Sequence, residues 1–176
     1  MATNAVNMGK GNASGMFYYA PSGTAIPTTL STIPAAWHEA GFISEDGMEL
    51  ELSHDVENIK DWSNTIRRVV LTDHEEKASG SCISTTGAAL TELFGSTNVT
   101  ATTASIQVNL SAGDLPPAKA YLFVMKDGDD LLAFGCSEGQ ISVTDSVSFK
   151  AGDGIAWPFE ITAQGTTGMQ FIKVNG

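Results

Sequence analysis

The chain has little of what catalytic and metal-binding proteins commonly use. Only two of its 176 residues are cysteines and only three are histidines. Cys82 and Cys136 stand far apart, without a CxxC motif or a histidine at ligand spacing, which favours buried free thiols over a disulfide or a zinc site. The sequence contains no GxSxG, HExxH, P-loop or GxGxxG motif. We therefore expect no enzyme activity, no cofactor and no bound metal.

Basic residues and long apolar runs are also scarce. Nine basic residues face twenty acidic ones, for a formal net charge of −11. Proteins that grip nucleic-acid phosphates need clusters of Lys and Arg, and the nearest approach here is Arg67-Arg68, so tight nucleic-acid binding is disfavoured. No eighteen apolar residues run together and the N-terminus lacks an apolar signal region. We expect neither a membrane span nor a signal peptide, and a soluble protein made in a cytoplasm.

The composition changes along the chain near residue 35. Residues 1–35 are rich in Gly, Ala, Ser, Thr and Pro, which predicts an extended N-terminal arm with one short strand around Phe17 to Ala20. Residues 36–176 alternate between apolar and polar side chains over much of their length and have turn residues between the segments. This pattern predicts a single β domain with its own core.

Most of the segments after residue 35 have the period of a β-strand. Met48, Leu50 and Leu52 alternate with polar residues, and a second strand is predicted at 65–72, after a long acidic loop at about 53–64. Further strands are predicted at 106–110, 120–136 with a hairpin turn at Asp127-Gly128, 141–149, 155–163 and 169–174. The one predicted helix covers about residues 86–94, with Thr86 as its N-cap and Gly95 just after its end. The fold class is therefore mainly β and antiparallel, with one short flanking α-helix.

One predicted strand is apolar on both faces. It consists of Tyr121, Leu122, Phe123, Val124 and Met125, whereas one face of an antiparallel sheet in a small domain normally meets water. The second face therefore needs a cover, which is either the helix of the same subunit or a neighbouring subunit.

The most acidic stretch of the chain includes "AGFISEDGMELELSHDVENIKDW", residues 40–62. Such a run is compatible with a metal loop, an acid–base pair, a solvated face or an assembly arm. The ligand spacing of a metal loop is missing, and no nearby pattern indicates the concave pocket that a catalytic carboxylate pair needs. A solvated face or an assembly surface remains.

Several segments, taken in order, resemble a known family. "APSGT", "WHEAGFISEDGMELELSHDVENIKDW", "TIRRVVLT", "ALTELFGS", "KDGD", "ISVTDSVSFKAGD" and "IAWPFEITA" look like the major tail tube proteins of long-tailed bacteriophages, in particular siphovirus-like phages with non-contractile tails. The resemblance implies an antiparallel β-sandwich or barrel-like fold with one flanking helix.

The same resemblance implies a structural role. Such subunits close into hexameric rings that stack into a hollow tube around a tape-measure protein, with tail terminator and distal tail proteins at the tube ends. The tube later conducts double-stranded DNA without tight binding. The implied location is the virion tail, assembled in the cytoplasm of the bacterial host.

Three groups of residues are predicted to serve this role. The inter-ring or inter-subunit contact group is Glu45, Asp46, Asp55, Glu57, Ile59, Lys60, Asp61, Trp62, Arg67 and Arg68. The subunit interface strand is Tyr121, Leu122, Phe123, Val124 and Met125. The candidate lumen-facing acids are Asp127, Asp129, Asp130, Asp145 and Glu160. For Trp62 the alternative is that it covers its own core.

Other functions share the acidic, all-β composition. One is a phage decoration or receptor-binding β-sandwich module, which should cover the 121–125 strand internally and stay a discrete oligomer. Another is the inner tube subunit of a contractile injection system, and a third is a small hydrolase that uses His54 and nearby carboxylates.

Overall fold

The computed structural model describes residues 10–11, 17–110, 113–147, 149 and 154–175. Within these ranges the chain forms eleven strands and one helix. They are β1 (Lys10–Gly11), β2 (Phe17–Pro21), β3 (His38–Gly41), β4 (Ile43–Lys60), β5 (Ile66–Cys82), α1 (Gly87–Phe94), β6 (Val99–Ala101), β7 (Ile106–Val108), β8 (Lys119–Asp127), β9 (Asp130–Val143), β10 (Trp157–Ala163) and β11 (Met169–Val174). The mainly β fold class predicted from the sequence is confirmed.

Nine of the strands form one antiparallel sheet. Its order is β3-β2-β8-β9-β10-β5-β4, while β1 pairs with β8 and β11 pairs with the first half of β9. The rings of Phe17 and Phe159 stack with their centroids 5.3 Å apart, although β2 and β10 are not neighbours in the sheet. The sheet therefore folds over on itself, and its two halves face each other as the layers of a sandwich.

The main core lies between these two halves. Phe123 stacks on Phe17 and Phe134 with ring centroids 5.0 Å apart in both cases, and Ile141 and Ile161 are fully buried beside them. Cys82 and Cys136 are buried free thiols, as predicted. Burial of large apolar and aromatic side chains stabilises each by about 1.5–3 kcal/mol relative to an exposed position.

A second apolar cluster covers the outer face of β8. Leu122 and Val124 point away from the main core and pack with Ile26, Leu30 and Trp37, all of them buried. The prediction that 121–125 forms a subunit interface is therefore wrong for this strand, since Tyr121 to Val124 are at most 2% exposed within one subunit. The cover that this strand needs comes from the chain segment before Trp37, which lies within the predicted arm.

The predicted boundary at residue 35 is also wrong. The strand expected at Phe17 to Ala20 is confirmed as β2, but β2 lies inside the sheet between β3 and β8. Because Ile26 and Leu30 are buried, residues 17–35 belong to the domain rather than to a separate arm. Residues 1–9 and 12–16 of the predicted arm lie outside the described residues.

Helix α1 begins and ends where its capping residues indicate. The Thr86 side chain accepts a hydrogen bond from the Ala89 amide, and Gly95 ends the helix with φ of 85°, a conformation that favours glycine. Leu90 and Leu93 bury its apolar face in the main core. In the described ranges no helix is long and apolar enough to cross a membrane.

A buried ion pair ties α1 to the sheet. Glu92 is 2% exposed, and Lys119 Nζ at the start of β8 donates to both of its carboxylate oxygens at 2.6 and 2.8 Å. Burial raises the pKa of Glu92, and the hydrogen bond from Lys119 opposes that change. Lys119 Nζ also lies 4.7 Å from the centre of the Tyr19 ring, so the cation has an aromatic as well as an anionic partner.

The C-terminal strands follow the predicted order, but residues 141–143 continue β9 instead of starting a separate strand, and β10 begins at Trp157 rather than at residue 155. The β8–β9 hairpin pairs Asp127 with Asp130 around the turn, and Gly128 has φ of 61°. The strand predicted at 141–149 ends at Val143, because Asp145 adopts φ of 63° and so cannot continue an extended strand.

Candidate assembly surface

The longest feature of the fold is a two-stranded hairpin formed by β4 and β5. Cross-strand pairs run from Met48 opposite Gly80 to Lys60 opposite Ile66. The predicted loop at 53–64 is therefore wrong, since residues 53–60 are strand and only 61–65 form the turn. Acidic residues are depleted in strands, which favoured a loop, but the apolar "IRRVVLT" segment of β5 supplies the partner strand.

One face of this hairpin carries an exposed apolar row. Residues directly opposite each other in an antiparallel pair share a face, and Val56 lies opposite Leu71 while Asn58 lies opposite Val69. Leu52, Val56, Val69 and Leu71 are each 54–58% exposed. Nearer the body of the protein, the same face continues into Met48 and Ala78, which pack in the main core. The apolar row is thus an extension of the core face into solvent.

The opposite face of the hairpin is polar and acidic. Its cross-strand pairs include Glu49 with Ser79, Glu51 with Lys77 and Asp55 with Asp73. Next to β5, the same face of the sheet continues onto β10, where Glu160 pairs with Ser79. Lys77 Nζ lies 3.1 Å from Glu75 Oε1 and 3.8 Å from Glu160 Oε1. We call this surface of β4, β5 and β10 the polar face.

Asp61 organises the turn at the end of the hairpin. Its Oδ1 accepts hydrogen bonds from the Ser63 and Thr65 amides at 2.9 Å each, and its Oδ2 accepts one from Arg67 Nε at 2.6 Å. The Thr65 amide, and then Arg67, hold the pKa of Asp61 below its ordinary value. The turn therefore has a defined shape although it lies in solvent.

The hairpin tip, residues 60–68, presents an unusual combination of side chains. Trp62 is fully exposed, so the alternative that it covers its own core is wrong. Lys60, Arg67 and Arg68 are also exposed in this segment and make up three of the nine basic residues of the chain. An exposed indole close in sequence to several cations is typical of a binding anchor, since Trp and Arg are enriched among the residues that dominate interfaces.

A pocket lies at the opposite end of the hairpin, where β4 begins. This base pocket has a volume of about 290 Å³, and its lining includes the acidic residues Asp46, Glu49 and Asp145 together with Met48 and Pro158. Asp145 is the residue with positive φ that ends β9, and its Oδ1 accepts a hydrogen bond from the Ser146 amide. The lining of the pocket therefore combines acidic and apolar residues.

The structure separates the residues that the sequence placed together. Of the predicted contact group, Glu45 and Asp46 lie at the base of the hairpin, Asp55, Glu57 and Ile59 along it, and the rest at the tip. The five candidate lumen-facing acids are also dispersed. Glu160 lies on the polar face and Asp145 at the base pocket, whereas Asp127, Asp129 and Asp130 lie at the β8–β9 turn, where Lys173 Nζ is 2.9 Å from Asp130 Oδ2.

The apolar row is what sequence reasoning missed. Its signal was the apolar content of β5, residues 66–71, which the prediction used for a strand but not for a partner of the acidic segment. Regular pairing outward from Lys60 opposite Ile66 would bring Val56 opposite Val70, and the irregularity between Ile59 and Lys60 shifts its partner to Leu71.

The hydrolase alternative depends on His54, which lies on the exposed hairpin. His54 and His74 lie opposite each other on the exposed hairpin with ring centroids 5.7 Å apart. In the described part of the chain, no three His, Cys, Asp or Glu side chains are placed to hold a metal ion. This arrangement gives no support to the hydrolase alternative.

Comparison with known proteins identifies the family. A family model described as phage tail tube protein matches residues 1–174. The chain belongs to the phage tail tube protein family. A search of curated proteins found no match. The resemblance noted in the sequence is confirmed at the level of the family.

For a tail tube protein the role is structural, in the tail of the virion. Phage tail tube proteins are structural proteins rather than enzymes. Two features separate the β4–β5 hairpin from an ordinary surface hairpin: the exposed apolar row and the basic, aromatic tip.

Proposed function

We propose that this tail tube protein assembles with itself, through the β4–β5 hairpin, into hexameric rings that stack into the tail tube. The observation that carries the proposal is the apolar row, in which Leu52, Val56, Val69 and Leu71 stand more than half exposed on a hairpin that leaves the body of the subunit. Apolar patches of this kind mark interaction surfaces in soluble proteins.

A second copy of the chain is the occupant that the charges favour. The tip is basic, while the base pocket and the polar face are acidic. The tip of one copy is therefore complementary in charge to the acidic surfaces of another copy. Contacts between unlike surfaces are heterologous, and such contacts close into rings or continue into filaments. A tube built of stacked rings uses both outcomes. The predicted contact group, from Glu45 to Arg68, is retained in this proposal along the length of the hairpin.

The polar face is our candidate for the wall of the DNA channel. Away from the base pocket it carries Glu51 and Glu160 with Thr162, and a surface of this sign passes a phosphate backbone without the counterion release that makes binding tight. Of the predicted lumen-facing acids, this proposal keeps Glu160, whereas Asp145 lines the base pocket. The placement of Asp127, Asp129 and Asp130 in the lumen stays a prediction.

The remaining partners follow from the proposed tube. A tape-measure protein fills it during assembly, tail terminator and distal tail proteins close its ends, and double-stranded DNA passes through it. The sheathless, siphovirus-like tail and assembly in the host cytoplasm are part of the same proposal. The internal cover over residues 121–125 removes that strand as an interface, as expected for a decoration module, but the exposed apolar row gives the tube an interface elsewhere.

The test shortens the hairpin while keeping its base. Residues 53–75 are replaced by Asn-Gly, a favoured two-residue hairpin turn, which keeps Leu52 opposite Glu76 and the contact from Glu76 to the Met169 amide. We expect the wild type to form rings or tubes by negative-stain electron microscopy and the shortened chain to remain a folded monomer. A matched control, Glu51→Gln on the polar face, keeps the apolar row and should still assemble.

Two results would contradict the proposal. One is a wild-type protein that stays monomeric at high concentration. The other is normal tube formation by the shortened chain, which would place the assembly contacts on the body of the subunit.

A further inference from the structure

The two ends of the hairpin are complementary in charge and shape. The tip carries a fully exposed indole, Trp62, beside the cations Lys60 and Arg68. The lining of the base pocket includes the acidic residues Asp46, Glu49 and Asp145 and the apolar residues Met48 and Pro158. A protruding apolar group with a positive surround thus has a concave, negative counterpart on the same chain.

The tip cannot reach the pocket of its own subunit. Met48 lines the pocket and Lys60 begins the tip, and the strand between them has a length of about 40 Å at roughly 3.3 Å per residue. Pairing with β5 holds this strand extended along its whole length. Any contact between tip and pocket must therefore join two copies of the chain.

Several cations of the chain are already paired with carboxylates of their own subunit. Arg67 is held by Asp61, whereas Arg68 lies one residue further along β5, opposite Ile59. Elsewhere, Lys77, Lys119 and Lys173 each lie within 4 Å of a carboxylate of their own subunit. Lys126 is exposed as well, but it lies on β8, so Lys60 and Arg68 are the cations that the tip presents to the acids of another copy.

We propose that the hairpin tip of one subunit docks into the base pocket of a second subunit, as the axial contact between successive rings. Trp62 enters the pocket between Met48 and Pro158, and Lys60 and Arg68 face Asp46, Glu49 and Asp145. The proposal rests on the self-assembly proposed above and adds to it the identity of the two surfaces. Since the contact is head-to-tail, it repeats along the tube with a period of about one hairpin length, roughly 40 Å.

The first experiment is a charge exchange at the two surfaces. Arg68→Glu at the tip and Glu49→Lys at the pocket should each raise the protein concentration needed for tube formation by about tenfold or more, because each places like charges in contact. The chain that carries both substitutions should regain assembly. Glu39→Lys, on the far edge strand β3, makes the same change in net charge as Glu49→Lys and should leave assembly unchanged.

The second experiment mixes the two single variants. In the mixture, the normal tip of Glu49→Lys copies fits the normal pocket of Arg68→Glu copies, and the Arg68→Glu tip fits the Glu49→Lys pocket as it does in the double variant. The proposal therefore predicts that the mixture forms tubes of alternating copies at concentrations where neither single variant assembles alone, by sedimentation and microscopy. Circular dichroism and thermal melting establish that each variant is folded, which we expect because the substituted side chains are exposed.

The outcomes separate this proposal from the proposed function. If the wild type forms tubes and both single variants form them equally well, the tip-to-pocket contact is wrong while self-assembly stands. If the wild type does not assemble, the proposed function fails first. If Arg68→Glu leaves assembly intact but abolishes retention of the protein on duplex DNA, the tip binds nucleic acid and the docking proposal is overturned.

Discussion

Glu92 and Lys119 form an ion pair whose carboxylate is buried within one subunit. The carboxylate is 2% exposed and its cation partner is about a quarter exposed. A buried ion pair contributes little net stability compared with apolar residues, but removing one partner leaves an uncompensated charge. The pair therefore matters more for keeping α1 seated on β8 than for total stability.

Glu92→Ala should destabilise the monomer by about 2–4 kcal/mol, because the Lys119 ammonium loses its anion in a low-dielectric site. The measurement is urea unfolding followed by circular dichroism. The double variant Glu92→Leu with Lys119→Met removes both charges and should lose less than the single variant. A double variant that is less stable than Glu92→Ala would contradict this account.

Cys136 makes stability depend on pH in the alkaline range. Burial raises the pKa of its thiol to about 11 from an ordinary value of 9.0. Between these values the unfolded thiol ionises while the folded one stays protonated, so folded stability falls as pH rises, by at most about 1.4 kcal/mol per pH unit. Below pH 9 the group contributes no such dependence.

The check compares the wild type with Cys136→Ala. The difference in unfolding free energy between the two should be constant from pH 7 to 9 and should shift against the wild type from pH 9 to 11. Parallel curves over the whole range would show that Cys136 does not titrate as its burial indicates.

At the scale of elements, leucine has two different roles in this fold. Leu30 lies in the segment that covers β8 and is 3% exposed, whereas Leu52 lies on the apolar row and is 55% exposed. The first is part of the subunit core, and the second has no core to fill until another copy arrives. The two leucines therefore allow a matched comparison of folding with assembly.

Leu30→Ala should destabilise the monomer by about 2–4 kcal/mol, because it removes buried methyl groups and leaves a cavity. Leu52→Ala should change monomer stability by no more than about 0.5 kcal/mol and should raise the concentration needed for tube formation. Chemical unfolding and sedimentation measure the two effects. Equal losses of monomer stability for both variants would show that the apolar row is covered within the subunit.

At the scale of the whole molecule, net charge opposes association of the copies. The chain has a formal charge of −11 near neutral pH and an isoelectric point of about 4.4. Electrostatic repulsion between copies keeps a protein with an exposed apolar surface soluble. This repulsion vanishes near the isoelectric point.

We therefore expect a solubility minimum near pH 4.4, measured by turbidity, and a smaller one for the chain in which Asn-Gly replaces residues 53–75. Both proteins should be clear at pH 7. An identical loss of solubility in the two chains would show that the hairpin plays no part in this association.

Several elements could be predicted because their signals are local. Helix α1 follows from Thr86, the spacing of its leucines and Gly95, and the β8–β9 turn follows from Asp127-Gly128. Each depends on side chains only a few residues apart. The candidate site was predicted less well, because its apolar row combines residues of β4 and β5 that are far apart in sequence, such as Val56 and Leu71.

The wrong predictions for residues 121–125 and 53–64 also concern contacts between segments that are far apart in sequence. The covered strand at 121–125 showed that a cover was needed, but only the path of the chain after β2 shows that Ile26 and Leu30 supply it. The polar and acidic composition of residues 53–60 is typical of a loop, but pairing with β5 makes this segment a strand.

By itself, the sequence determined the β class, the short helix, the buried thiols and the family, because composition, local periodicity and motif order carry them. Only the tertiary structure decided which apolar face is buried in the subunit and which stands exposed on the hairpin. The reason is physical: whether an apolar side chain is core or interface depends on which distant segment packs against it, and strand pairing sets that across long separations in sequence.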